Sequence, residues 1–380
     1  MRVISSGFVH DGNKAPAYQK SCARTTITQL HDGTLMATCR LDKERDTLGG
    51  HHGLFVSSDL GETWEMRSNS RGQGALGDTP GELLCLTPAE HDPGILTATG
   101  LWLDRSRPEL PMSNPKTQGF LPMRIIHTTS SDGGRTWDEW RAMDTSPHLA
   151  ASCATQPTYT LPGGELAQPY EKWKEYDDAS PGLPGCWFRL SKDGGATWPE
   201  YVPVAQHPNN ELFYWDLRLA QHPDSGRWVA MFWTHEPGSG KDVDIHISWG
   251  TPDARSWTTP ISTGLHGQHC QPVALGGDRL LAVHPNRDDD PAGIHASISD
   301  DFGKSWNRDR DLIVFESGAG TEPGARKARS TKEKFDDMKT WRFGHPRGVL
   351  LTDGTVFVVF YAGDDIIKSA RWARIDVNDI

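Results

Sequence analysis

The chain is 380 residues long, with a formal net charge of -11, 36% hydrophobic residues and a mean hydropathy of -0.58. It contains no run of about 18 apolar residues, which argues against a membrane-spanning helix. Its Lys and Arg residues are scattered apart from a cluster at Arg326, Lys327 and Arg329, and an acidic chain without a basic face argues against nucleic acid as a partner.

The elements run as follows. Arg2 to Val9 reads as a strand, and the MRVISSGFVHDG start lacks the apolar stretch of a secretory leader, so a cytoplasmic location is the expectation. A first unit spans 20–75, with a turn at His31-Asp32-Gly33 and the segment SSDLGETW from Ser57 to Trp64. A second spans 76–142 and ends in SSDGGRTW from Ser130 to Trp137; its stretch 104–122, rich in Pro and Arg, reads as a long loop of the kind that covers a site. A third, 143–202, carries a turn between Leu161 and Leu166 and SKDGGATW from Ser191 to Trp198. A fourth, 203–262, turns between His222 and Trp228 and keeps a worn copy, TPDARSW, ending at Trp257. A fifth, 263–315, turns between Leu275 and Leu281 and carries SDDFGKSW from Ser299 to Trp306. The segment 316–340 breaks the pattern and reads as an insertion, and a sixth unit, 341–380, turns between Leu351 and Val356.

The repeated SxDxGxTW has a physical logic. The Ser and Asp side chains can accept hydrogen bonds from backbone N–H groups and hold a tight turn, Gly supplies a positive φ, and Trp buries a large apolar surface between sheets. Each unit therefore reads as four antiparallel strands. The 39 Gly and 26 Pro that punctuate short apolar runs fit the same picture. The expected fold class is all-β, a six-bladed β-propeller forming one domain over 1–380, with the first strand pairing into the last blade. The cysteines Cys22, Cys39, Cys85, Cys153, Cys186 and Cys270 have no C-x-x-C spacing and read as mostly buried free thiols, with room for one disulfide.

In a propeller the innermost strands end in polar residues that line an axial pocket. Counting about eight residues back from each turn reaches Arg24, Thr155, Asp216, His269 and His345. Counting eight forward reaches Arg40, Glu171, His235, His284 and Tyr361, with Asp46 and Arg287 in adjoining loops. Polar residues recur at one register of otherwise apolar strands, which marks them as candidate site residues. Among the tryptophans outside the turns, Trp173 is the candidate pocket wall.

The SxDxGxTW segments resemble the Asp boxes, or BNR repeats, of the sialidase (neuraminidase) superfamily, and the likeness covers nearly the whole chain. In that family an arginine in an R-I-P segment, a second arginine after the hairpin and an aspartate general acid six residues further on share the first blade. Arg24, Arg40 and Asp46 stand at similar places, with Thr25-Thr26 where the family has I-P. The resemblance implies a clamp of three arginines on a substrate carboxylate, with Arg287 as the third; the second would fall near Trp233 to His235, where there is no arginine. The family's tyrosine nucleophile, an exception to the two-carboxylate scheme, is replaced at its position by His345. The chain is thus expected to be a divergent member rather than a true sialidase.

The leading functional expectation is a glycoside hydrolase acting on an acidic or unusual sugar. Arg24, Arg40 and Arg287 would bind the anion and Asp46 would act as acid/base; His345, His284 or His269 would position or transfer protons, and Glu171 or Asp216 would supply a second carboxylate. His235 and Tyr361 complete the substrate-binding set. The alternatives are a uronate-directed lyase, with a histidine base and Tyr361 or a histidine as acid, and a non-catalytic glycan-binding propeller. No cofactor is expected. His51-His52 point to opposite faces of a strand and His266 with His269 supply only two ligands, so no metal site is assigned. The expected partner is an anionic carbohydrate.

Overall fold

The computed structural model is all-β and describes the whole chain except residues 46, 71–73, 149–150, 153–155, 319–332, 334–336, 339 and 379–380. Strands Ser21–Gln29, Leu35–Asp42, His51–Ser57 and Glu65–Asn69 form the first antiparallel unit. Gly81–Asp92, Ile95–Asp104, Met123–Ser130 and Arg141–Ala142 form the second. In the third, two short strands, Ala151–Ser152 and Tyr159–Thr160, share the innermost place against Leu166–Lys172, followed by Gly185–Ser191 and Glu200–Ala205. The fourth begins with Phe213–Gln221 and Trp228–Glu236, and the fifth with Gln271–Gly276 and Arg279–Asn286. The last holds Phe343–Leu350, Val356–Gly363 and Lys368–Asp376, and the N-terminal strand Arg2–His10 pairs antiparallel with Lys368–Asp376 as its fourth strand.

Hydrogen bonding groups these units into five sheets, not six. The difference has a local cause: one parallel pair, Ser21 with Lys368, joins the first and last units into a single eight-stranded sheet. Among the described residues the other four sheets share no strand pairing with one another and meet through side chains. Apolar clusters fill the spaces between consecutive units. Leu30, Met36, Val56 and Leu96 lie between the first and second, Ile125, Tyr170 and Trp187 between the second and third, and Phe188, Trp228 and Phe232 between the third and fourth. Met231 and Leu280 lie between the fourth and fifth, Ile294 and Val358 between the fifth and last, and Phe55, Phe357 and Trp372 between the last and first.

The repeated turns are built as their composition predicts. In the first, Ser57 Oγ accepts the Gly61 N–H at 2.8 Å, Asp59 Oδ1 accepts the Thr63 N–H at 2.9 Å, and Trp64 Nε1 donates to the Gly61 carbonyl at 2.9 Å. The turns at Ser130, Ser191 and Ser299 repeat the first two bonds. Gly61 has φ 94°, a left-handed angle that glycine tolerates. In the worn copy Ala254 takes a φ of 58°, and Trp257 still donates to its carbonyl at 2.8 Å. The tryptophans fill the spaces between sheets, Trp64 against Phe357 of the last unit and Trp257 stacked on Phe188 of the third. The five described cysteines are buried free thiols, and Cys153 lies outside the described residues.

Candidate active site

Three residues found by counting from the turns share an unusual conformation. Arg24, Asp216 and His345 have φ angles of 51°, 50° and 49°, in the left-handed region that L-residues with a Cβ rarely occupy. Each sits at a break in pairing register on the innermost strand of its unit, between Ala23 and Thr26, Trp215 and Arg218, and Gly344 and Arg347. A bulge of this kind re-aims a side chain that would otherwise follow the strand's alternation, and bulges are frequent beside active sites. The breaks are braced across units. Thr25 Oγ1 donates to the His345 carbonyl at 2.6 Å, the His345 N–H donates to His269 Nε2 at 2.8 Å, and the Leu217 N–H donates to Glu171 Oε1 at 2.9 Å. In the second unit the matching break falls at Leu84, which brings an apolar side chain. Thr155, the third-unit counterpart, lies outside the described residues.

Arg24, Asp216 and His345 converge on a cleft of about 390 Å³, joined by Glu171 from the end of Leu166–Lys172. Trp173, the candidate pocket wall, lines it with Trp215 and Trp233. The 104–122 loop lies over it and contributes Pro108, Leu110, Met112 and Phe120.

The remaining candidates lie around the cleft rather than on its lining. His269 and Tyr361 stand behind His345, with ring centroids 4.5 and 6.0 Å from it. His235 Nδ1 donates to Asp242 Oδ1 at 3.1 Å, and the ring stacks on Trp215 with centroids 5.1 Å apart, so it supports the wall. Arg287 lies with its guanidinium 4.0 Å from the Trp341 ring centroid and donates to the Phe343 carbonyl. Arg40 is fully buried; it donates to Asp42 at 2.7 Å, to Glu82 at 3.0 Å and to the Leu83 carbonyl at 2.8 Å. Its fork is spent inside the first unit and on the second, away from the cleft. His284 is buried against Gly267 and His295 and does not line the cleft. Asp46 lies outside the described residues, although its neighbours Arg45 and Leu48 line the cleft.

Burial sets the electrostatics. Glu171 is 5% exposed, and desolvation together with the nearby Asp216 carboxylate raises its pKa to about 8. It is therefore protonated at neutral pH and can donate a proton, which is how two close carboxylates divide the acid and base roles. His345 is pushed well below the usual imidazole range by burial, by His269 and by surrounding arginines, so its ring is neutral. His269 shifts the same way, chiefly through burial, and its Nε2 accepts the His345 N–H.

Sequence reasoning passed over several residues. Arg45 lines the cleft and donates to the Tyr361 hydroxyl at 2.6 Å; its one signal is its place beside Asp46. Arg105 lines the cleft while bonded to Glu82 at 2.5 Å, and Lys172 follows Glu171 on the rim. Arg218, fully buried, bonds Asp216 at 3.4 Å, and Arg347 donates to Gln271 at 2.8 Å. Two residues past a bulge, they are buried arginines that no pattern of local sequence distinguishes from surface ones. Among the described residues no group of three or more His, Cys, Asp or Glu side chains is placed to hold a metal ion.

No protein-family model matches the sequence, and no curated protein matches it. Solved structures do match its fold. A Dyadobacter fermentans protein of unknown function has a TM-score of 0.74 at 16% identity, covering 98% of each chain. The intramolecular trans-sialidase of Ruminococcus gnavus, solved with oseltamivir carboxylate, has a TM-score of 0.66 at 12% identity, over 100% of this chain and 98% of that one. Trypanosoma rangeli sialidase has a TM-score of 0.63 at 12% identity, over 99% of this chain and 58% of that one. The fold of this chain is that of the sialidases.

Proposed function

We propose that this chain, which has the sialidase fold, is a carbohydrate-active enzyme: a glycoside hydrolase that takes an acidic sugar into the cleft. We further propose that its six four-stranded units are the blades of a six-bladed propeller whose axial pocket is that cleft. The apolar cluster between the last unit and the first supports the ring. The observation that carries the functional reading is the convergence of three left-handed bulges, presenting Arg24, Asp216 and His345, on the buried acid Glu171.

In this reading Arg24 and Arg45 hold the anionic group, since guanidinium forks match planar carboxylates. Glu171, protonated at neutral pH, donates a proton to the leaving oxygen. Asp216 supplies the second carboxylate, and the neutral His345 imidazole takes the proton of the water that attacks the anomeric carbon as the bond to the leaving oxygen breaks. The sialidase resemblance would instead give the acid role to Asp46, which lies outside the described residues. The R. gnavus neighbour's carboxylate ligand is consistent with an anionic partner for this site.

A second reading has its own support. A neutral His345 near the Tyr361 ring, with an arginine to neutralise a carboxylate, also suits proton abstraction from a uronate and elimination.

The test is turnover of a panel of sialic acid and uronic acid glycosides. Hydrolysis, lost in Glu171→Gln and weakened about 10- to 100-fold in kcat/KM by Arg24→Ala, is the expected result. An unsaturated product absorbing in the ultraviolet would establish elimination instead. Tight binding without turnover would make the protein a glycan-binding module, and neither binding nor turnover would overturn the carbohydrate reading.

A further inference from the structure

The cleft is chemically two-sided. Its inner wall carries Arg24, Glu171, Asp216 and His345; its outer half is walled by Pro108, Leu110, Met112, Phe120 and Met338. We propose that this outer half is a subsite for an apolar aryl or alkyl group carried by the acidic sugar, in place of a further sugar residue. The inference rests on the reading of the cleft as the substrate site and names the class of substrate it takes.

Two features argue against a second sugar there. Sugar hydroxyls taken out of water need hydrogen-bonding partners, and two of the polar groups near this wall are already engaged. Arg105 is held by Glu82, and Trp173 Nε1 donates to the Gln118 carbonyl at 2.7 Å. The indoles also pack edge to face against one another, which occupies ring faces that a sugar would stack on. Trp173 meets Trp215 at 74° and Trp215 meets Trp233 at 75°, while His235 covers one face of Trp215. An apolar group needs no such partners, and methionine thioethers adapt to its shape.

The outer wall is also pinned in place. The Leu121 N–H donates to the Met112 carbonyl at 2.9 Å, and the Phe120 N–H to the Lys174 carbonyl at 3.1 Å. Asn114 Nδ2 donates to the Tyr176 carbonyl at 2.9 Å. The loop of the second unit is thus stitched to the Lys174–Tyr176 stretch of the third, and its apolar face is a built surface. Cationic groups at one end and an apolar wall at the other are complementary to an amphipathic anion.

The test uses the full chain and calorimetric binding of two series, sialic acid and glucuronic acid, each as the methyl glycoside, the 4-methylumbelliferyl glycoside and a disaccharide; 4-methylumbelliferone alone is the control. The aryl member is expected to bind at least about tenfold more tightly than the disaccharide of its series. Leu110→Ser with Met112→Ser, both partly exposed although packed against the Leu84, Leu101 and Met123 cluster, is expected to reduce that ratio to about twofold, with a native circular dichroism spectrum as the control for folding and the more conservative Met112→Ser alone giving a smaller reduction in the same direction. A disaccharide that binds as tightly as the aryl glycoside, or an aryl preference that survives the double substitution, overturns the inference. If no acidic glycoside binds, the functional reading fails by itself. In that case binding of 4-methylumbelliferone that the double substitution removes still supports the apolar subsite, and no binding overturns it.

Discussion

Arg24, Asp216 and His345 hold backbone angles that cost a residue with a Cβ roughly 1–2 kcal/mol each. Strain repeated at one register of three units, all at one cleft, is the residue-scale observation on which the proposed function rests. It yields an inverted substitution order. In an ordinary strand alanine is more stable than glycine; at position 24, Arg24→Gly should be more stable than Arg24→Ala by about 1 kcal/mol in urea denaturation, because both lack the side chain and only glycine relieves the angle. The usual order, with alanine ahead, would mean that the angle is not strained in solution. Glu171 gives a pH prediction. Its folded pKa is raised, from 4.5 to about 8, so its protonated form stabilises the fold: that contribution is fully present below 4.5 and is lost as pH rises through 8. Stability should therefore decline between those values in the wild type, and Glu171→Gln should flatten the decline. The same substitution should lower hydrolysis by about 10²- to 10⁴-fold by removing the proton donor.

At the scale of the element, the repeated turn is a unit of local chemistry. Ser191 Oγ is buried and accepts the Gly195 N–H at 2.8 Å, so Ser191→Ala should cost about 1 kcal/mol in chemical denaturation. The equivalent loss at Ser57 should add to it, because the two turns are in different units and share no partner. The turn carboxylates Asp59 and Asp193 are held at about 2, below the ordinary 3.8, chiefly by hydrogen bonds from Thr63 and Thr197. Their contribution is present above pH 3.8 and is lost as pH falls through 2, so acid unfolding should begin in that window. Asp59→Asn should reduce the steepness of the transition there. Turns hold the strands at fixed spacing, and that spacing brings each bulge to the cleft end of its strand.

For the whole molecule, the decisive element is the first strand. Arg2–His10 is far in sequence from Lys368–Asp376, yet it forms the outer strand of the last sheet and seals Val9 against Trp372. Removing residues 1–10 would expose Lys368–Asp376 as an open edge, and open edges template aggregation. The truncated chain should melt at lower temperature and elute as larger species in size-exclusion chromatography; an unchanged melting temperature and elution volume would show that the first strand is dispensable. Arg40 has a comparable reach between units, because its bonds to Glu82 and to the Leu83 carbonyl tie the first unit to the second.

The sequence alone determined the units, their strand order and the positions of the bulged residues. Those features rest on short-range rules, a repeated Ser-Asp-Gly turn and a fixed count of residues from the first hairpin turn of each unit, that any segment obeys wherever it lies. Glu171 and Asp216 were reached by the same count, but their pairing was not, because it depends on two units separated in sequence coming within electrostatic range. Arg40 stood at a clamp position by count and is spent on Asp42 and Glu82, while Arg45 took a place on the lining. The outer wall was legible as a long loop, and its apolar face was not. Tertiary structure decided these points because a side chain's charge state and partners are set by what non-local packing places beside it, and neither composition nor spacing contains that information.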